Sequence, residues 1–139
     1  MKTYLSYIQI TAIIFGLLFS LAFINDVLAQ EGAPKLSPDK FEKEANKKKS
    51  HVILDIRTPE EVAEGHIEGA QFADFLGEHF EEDLNKLNKK RTYYVYCRSA
   101  KRTIPATEKM KEMGFKKVYM LEEGLNNWIE AGKPLVKTP

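Results

Sequence analysis

A single cysteine, Cys97, among 139 residues excludes a disulfide framework, because one thiol has no partner within the chain. Metal-ligand clustering is missing too. His51, His66 and His79 are scattered, and with one cysteine they offer no ligand spacing, so no metal and no cofactor are expected. There is no excess of one charge: 21 Lys and Arg face 20 Asp and Glu, for a net charge of +1. Without a global basic field, no nucleic-acid partner is expected. Internal repeats and low-complexity tracts are absent, which excludes solenoids and disordered tails.

The only long apolar run, Ile8 to Ile24, lies near the N-terminus. It follows Lys2 and leads into Asn25-Asp26-Val27-Leu28-Ala29, the order of a secretory signal peptide over residues 1–29. Val27 and Ala29 fill the −3 and −1 positions, so cleavage is expected between Ala29 and Gln30. The run is near the lower limit for spanning a bilayer, and Gln9, Thr11 and Ser20 interrupt it. An uncleaved anchor is therefore the alternative. A lipoprotein anchor is excluded, since no cysteine directly follows the run. The expectation is export to the periplasm, with membrane contact only if the segment is retained. An odd thiol in an exported protein points to an intermolecular bond or a reactive group.

What remains is one domain's length of ordinary globular composition, 43% hydrophobic and 29% charged over the whole chain. Residues 30–36 read as a linker and 37–136 as the domain. Ser37-Pro38 opens a helix with Phe41 and Ala45 facing inward. His51 to Ile56 is a continuous apolar run, as in a strand covered on both faces. Thr58-Pro59-Glu60-Glu61 is a capping box, and Gly65 ends its short helix. Gln71-Phe72-Ala73 reads as a brief strand. Phe80, Leu84 and Leu87 recur at helical spacing within Gly77 to Lys90. A strand over Thr92 to Tyr96 precedes the cysteine, and Ile104, Met110 and Met113 stripe the next helix up to Gly114. Val118 to Leu121 is a last strand, and a final helix carries Leu125, Trp128 and Ile129. Strands alternating with helices predict an α/β fold with a central, mostly parallel sheet and helices on both faces.

In such sheets the ligand site lies beyond the carboxyl ends of strands, where Cys97 falls. A lone cysteine there is more often a small buried hydrophobe than a catalyst. Arg98, Lys101 and Arg102 reverse that weighting, because a structural thiol gains nothing from cations. Cations and a helix start both favour an anion, and the thiolate is the nucleophilic form of cysteine.

Three motifs in order resemble those of rhodanese domains. Asp55-Ile56-Arg57-Thr58-Pro59-Glu60-Glu61 with Gly65-His66-Ile67-Glu68-Gly69-Ala70 resembles the first signature. Tyr96-Cys97-Arg98-Ser99-Ala100-Lys101-Arg102 resembles the active-site loop, and Gly124-Leu125-Asn126-Asn127-Trp128 with Ala131-Gly132-Lys133-Pro134 the second signature. The resemblance implies a rhodanese-like sulfurtransferase, a monomer whose partners are a small anionic sulfur donor and a thiol or cyanide acceptor. It implies that Cys97 carries a persulfide and that Arg98, Ser99, Ala100, Lys101 and Arg102 form the donor-binding loop. The cationic loop favours thiosulfate over 3-mercaptopyruvate as donor. Arg57 is a further substrate-binding candidate, although a polar residue beside a strand end usually fixes a turn. Ala100 and Glu123 occupy positions where the family often has glycine. Phosphatases of the same fold place five residues between Cys and Arg to surround a phosphate, against four here. Non-catalytic docking modules of the family commonly lack the cysteine.

Overall fold

The computed structural model of the protein describes residues 11–15 and 32–137. The chain divides into two compact units, Met1–Glu31 and Gly32–Pro139. In the first, residues 11–15 are helical; the rest of the expected leader, with its cleavage point, lies outside the described residues. No helix among the described residues is long and apolar enough to cross a membrane.

The second unit carries five strands and five helices among its described residues. In chain order they are β1 (Lys35–Leu36), α1 (Pro38–Ala45), β2 (His51–Asp55), α2 (Pro59–Glu64), β3 (Gln71–Phe72), α3 (Phe80–Asn85), β4 (Thr92–Tyr96), α4 (Thr103–Glu112), β5 (Lys117–Leu121) and α5 (Gly124–Glu130). The sheet order is β1-β5-β4-β2-β3, and every pairing is parallel. All carboxyl ends therefore share one edge. From β2 the chain steps outward to β3, then crosses back to β4 and continues the other way. The reversal of order lies between β2 and β4, which is where such sheets form their crevice.

Side-chain alternation along the central strand builds two cores. Tyr93, Val95 and then Cys97 pack with Val52, Leu54, Phe80, Ala106 and Met110, on the face covered by α3 and α4. Tyr94 and Tyr96 pack with Ile53, Phe41, Leu125 and Trp128, on the face covered by α1 and α5. The Phe41 ring meets Tyr94, Tyr96 and Trp128 edge-on, at centroid distances of 5.6, 6.4 and 6.2 Å. Burial on both faces explains why β2 and β4 read as unbroken apolar runs.

Two sequence expectations need correction. Residues 32–36 are not a linker. Leu36 is buried, β1 pairs with β5 as an edge strand, and the Ala33 amide donates to Thr107 Oγ1 at 3.0 Å. Two residues beside a proline carry no periodicity, so the pattern had nothing to register. The helix expected within Gly77 to Lys90 shrinks to Phe80–Asn85. Leu87 still packs on the core, but from a turn in which its amide bonds to Leu84 O.

Tyr96 illustrates how the strand before the cysteine is anchored. Its hydroxyl accepts the Ile67 amide at 3.0 Å, and burial first, with the Asp55 charge next, pushes its pKa far up, so it stays neutral. Tyr96→Phe strands the buried Ile67 N–H and is expected to cost about 1–3 kcal/mol. Thermal denaturation of the variant checks this; an unchanged melting temperature would remove the bond from the account.

Candidate active site

Cys97 follows β4 directly, and its side chain is 1% exposed. Parity along the strand aims it at the α3–α4 face, while the chain turns away over Arg98 to Arg102 before α4 begins at Thr103. The next helix holds the back of this loop. Leu125 N donates to Cys97 O at 2.8 Å, and Asn126 N donates to Arg98 O at 3.0 Å. With those carbonyls turned to α5, the amides of Ser99, Ala100, Lys101 and Arg102 donate no backbone hydrogen bond among the described residues. Successive amides left in this way form a concavity suited to an anion.

Close approach demands Gly124. A Cβ there would lie 2.6 Å from Cys97 O and 2.7 Å from Arg98 O, and its φ is +65°. Ala100 and Glu123 are the two non-glycine residues with positive φ among the described residues, at 66° and 54°. These are the same two positions at which the sequence departs from the family pattern. The loop keeps the glycine-type backbone without the glycines, at a cost of about 1–3 kcal/mol per residue.

The cations are arranged by a residue that the sequence assigned only to a helix cap. Glu61 makes the expected capping box with Thr58, and the same carboxylate faces the cysteine loop. Arg102 Nη1 donates to Glu61 Oε2 at 2.7 Å and Nη2 to Oε1 at 2.8 Å, a two-pronged pair. Arg98 Nε donates to Glu61 Oε1 at 3.0 Å, and Arg98 Nη2 to Glu64 Oε2 at 3.3 Å. The bonds from Arg102, ahead of those from Arg98 and the Thr58 amide, pull the Glu61 pKa down to about 2, so it is ionised at any working pH. The Arg102 pKa is raised, chiefly by Glu61 and to a lesser degree by the Cys97 sulfur.

Arg57 takes a different place from the one expected. Its side chain is 2% exposed. Nε and Nη2 hold the Asp55 carboxylate at 2.7–3.1 Å, Nη1 donates to Glu61 O at 3.1 Å, and Nη2 also donates to Gly65 O at 2.8 Å. A guanidinium committed in this way is a frame for α2, not an open anion site, which corrects its reading as a substrate-binding residue. Ser99 and Lys101 are exposed and line a cavity of about 270 Å³ with Lys35, Ala100, Ile104, Glu122 and Glu123. Lys101 makes no ion pair among the described residues, unlike Arg98 and Arg102. The structure thus brings Cys97 to Arg102 together on one loop and adds Glu61, Glu64 and Gly124.

Comparison with known proteins identifies the family. Residues 37–131 match the rhodanese-like domain family. The chain belongs to that family. Among curated relatives, the rhodanese-like chain is 36% identical over 95 residues to a putative sulfur carrier protein, YrkF, of Bacillus subtilis, covering 68% of this chain and 50% of that one. It spans about half the length of that relative. It is 33% identical over 86 residues to a sulfurtransferase of Allochromatium vinosum, covering 61% of this chain and 78% of the relative. Among solved structures, a polysulfide-sulfur transferase homodimer from Wolinella succinogenes superposes with a TM-score of 0.65 at 27% identity, over 86% of this chain and 90% of that one.

Gly124→Ala tests the packing of α5 on the loop. The added methyl group must displace loop backbone, and the variant is expected to lose upward of about 2 kcal/mol of stability, with Cys97 opened to alkylation. Unchanged melting and alkylation would show that the loop does not need this contact.

Proposed function

We propose that this rhodanese-like protein is a sulfurtransferase that carries sulfur as a persulfide on Cys97. The Cys97 thiolate attacks the outer sulfur of an anionic donor such as thiosulfate. A new S–S bond forms, the donor's S–S bond breaks, and its electron pair leaves with sulfite. The bound sulfur then carries the negative charge and is attacked by a thiolate or by cyanide. That step releases a persulfide or thiocyanate and returns the Cys97 thiolate. In this reading the unengaged loop amides from Ser99 to Arg102 solvate the terminal sulfur, and Lys101 draws the donor in.

The observation that carries this reading is Cys97 at the carboxyl end of β4, inside a loop whose carbonyls are engaged by α5 and whose amides are not. The sulfur-transfer descriptions of the two curated relatives support it. The cysteine also sets it above the docking-module reading. The shorter spacing between Cys97 and Arg102 supports a single sulfur rather than a phosphate group as the guest.

Incubation with thiosulfate is expected to add one sulfur atom to the intact mass, and cyanide to remove it. Cys97→Ser is expected to keep its fold and lose the transfer, because a hydroxyl cannot hold a persulfide. A wild-type protein that never gains sulfur would overturn the reading and leave a docking role.

We further propose that the protein acts after export, on the strength of the apolar run and Val27-Leu28-Ala29. The mature N-terminus of protein purified from its native cells is expected at Gln30. Recovery of Met1 to Ala29 on that protein would favour the retained anchor.

A further inference from the structure

The edge of the sheet opposite Cys97 takes no part in the steps above. Because the pairings are parallel, β2, β4 and β5 start side by side there: His51 is in register with Thr92, and Thr92 with Lys117. Three stretches that lead from helices into these strands, residues 46–50, 86–91 and 113–117, meet at this edge. Together they hold eight lysines and Arg91, and no acid. β3 starts beside Leu54, farther along the sheet, so the stretch before it does not reach this edge. Counting the last helical turns as well, residues 42–45, 82–85 and 109–112, gives twelve cations against five acids. The whole chain is only +1, so its other residues are net negative.

Two of the cations stitch the three stretches together. Arg91 Nε donates to Ser50 O at 2.8 Å, and Arg91 Nη2 to Lys49 O at 2.9 Å. Lys89 Nζ lies over the Phe115 ring, 5.8 Å from its centroid. Lys47 and Lys86 reach Glu44 and Asp83 at 3.5 and 2.7 Å. Lys48, Lys49, Lys90, Lys116 and Lys117 are exposed and make no ion pair among the described residues. Helix dipoles do not account for them, since each C-terminus presents only about half a negative charge.

The residue types select the partner. Protein interfaces are anchored by aromatic residues and favour arginine over lysine. Here Phe115 is buried, Leu87 and Met113 pack against the core, and the five open cations are all lysine. Single-stranded nucleic acid stacks on aromatic rings, and these stretches expose none. A diffuse anionic surface attracts clustered lysines without either feature.

We propose that this edge is a docking surface for an anionic phospholipid bilayer. β4 puts its full five residues between the lysines and the cysteine loop, so a bilayer under this edge leaves the loop facing solvent. On the leader reading, the run Ile8 to Ile24 brings the chain to a membrane whether it is cleaved or kept. That sets a bilayer above duplex nucleic acid, the other diffuse polyanion.

The test measures acetylation rates of individual lysines by peptide mass spectrometry on the full-length chain. Vesicles are phosphatidylcholine alone or an equimolar mixture with phosphatidylglycerol, and a DNA duplex replaces them in a parallel run. Insertion of the apolar run is common to both vesicle types and cancels in the comparison. With phosphatidylglycerol, Lys48, Lys49, Lys90, Lys116 and Lys117 are expected to react about three- to tenfold more slowly. Lys101, at the opposite edge, is expected to keep its rate. Raising the salt to about 0.5 M is expected to remove the protection, because the screening length shrinks. Lys90→Glu combined with Lys116→Glu is expected to abolish protection of Lys48 and Lys49 with little change in melting temperature. Equal rates on the two vesicle types, protection that extends to Lys101, or protection that survives salt or the double variant overturns the proposal. Protection by the duplex and not by vesicles overturns the bilayer as partner in favour of nucleic acid.

Discussion

The carboxylate of Glu61 belongs to two structures at once. It caps α2 through Thr58, and it receives both prongs of Arg102 and one nitrogen of Arg98. Everything around the cysteine loop depends on this sharing. Arg57, buried against Asp55 at the end of β2, fixes the α2 backbone at Glu61 and Gly65. Asp55 is paired in register with Tyr96, the residue before Cys97. A line of contacts therefore runs from β2 through Arg57 to α2, through Glu61 to Arg102, and back through the loop to β4. The crevice at the reversal of strand order is closed by charge-assisted bonds from one side to the other. Such bonds exceed neutral ones in strength, which suits a loop with little apolar surface of its own.

The backbone of the loop shows why those bonds are needed. Ala100 and Glu123 adopt conformations that glycine would take without strain, each costing about 1–3 kcal/mol. Against that stand two backbone hydrogen bonds from α5, worth about 0.5–1.5 kcal/mol each. The Arg102–Glu61 pair adds about 1.5–3 kcal/mol. The terms are comparable, so the loop is held near balance by its contacts. Gly124 has no such freedom, because the carbonyls of Cys97 and Arg98 occupy the space its side chain would need. The distinction is steric: Ala100 meets a conformational preference, whereas position 124 meets other atoms.

Much of this was legible in the chain, and the omissions share a cause. β2 and β4 announced themselves because burial on both faces leaves an uninterrupted apolar run, and the bounds of β4 agree residue for residue. The order of strands and helices gave the parallel sheet, and three motifs gave the family. β1 left no trace, since a two-residue edge strand has neither length nor period. Glu61 was visible only as half of a capping box, because its other partners lie 37 and 41 residues away. Local patterning explains a residue once and then gives no reason to look further. The three cations around Cys97 were a signal that a counterion had to exist, but the sequence offers many acids and no distances. Arg57 failed in the opposite direction. Its position in a signature suggested binding, and only its partners reveal that every one of those hydrogen bonds goes to the protein's own oxygens.

Strand parity finally decides which environment the sulfur has. Tyr93, Val95 and Cys97 share the α3–α4 face, while Tyr94 and Tyr96 enter the aromatic core around Phe41. A shift of one residue would bury the thiol among tyrosines, in the core around Phe41. In its actual place the sulfur is buried against apolar atoms of the α3–α4 core and interacts with Arg102. Burial withholds water from it, so any charge on it depends on the protein's own dipoles. In the sulfur transfer proposed above, fixed dipoles would stabilise the moving charge without reorganising. The clamp on Arg102 has the same logic. A guanidinium held by a carboxylate offers the sulfur a constant field, and a free one would turn with its surroundings.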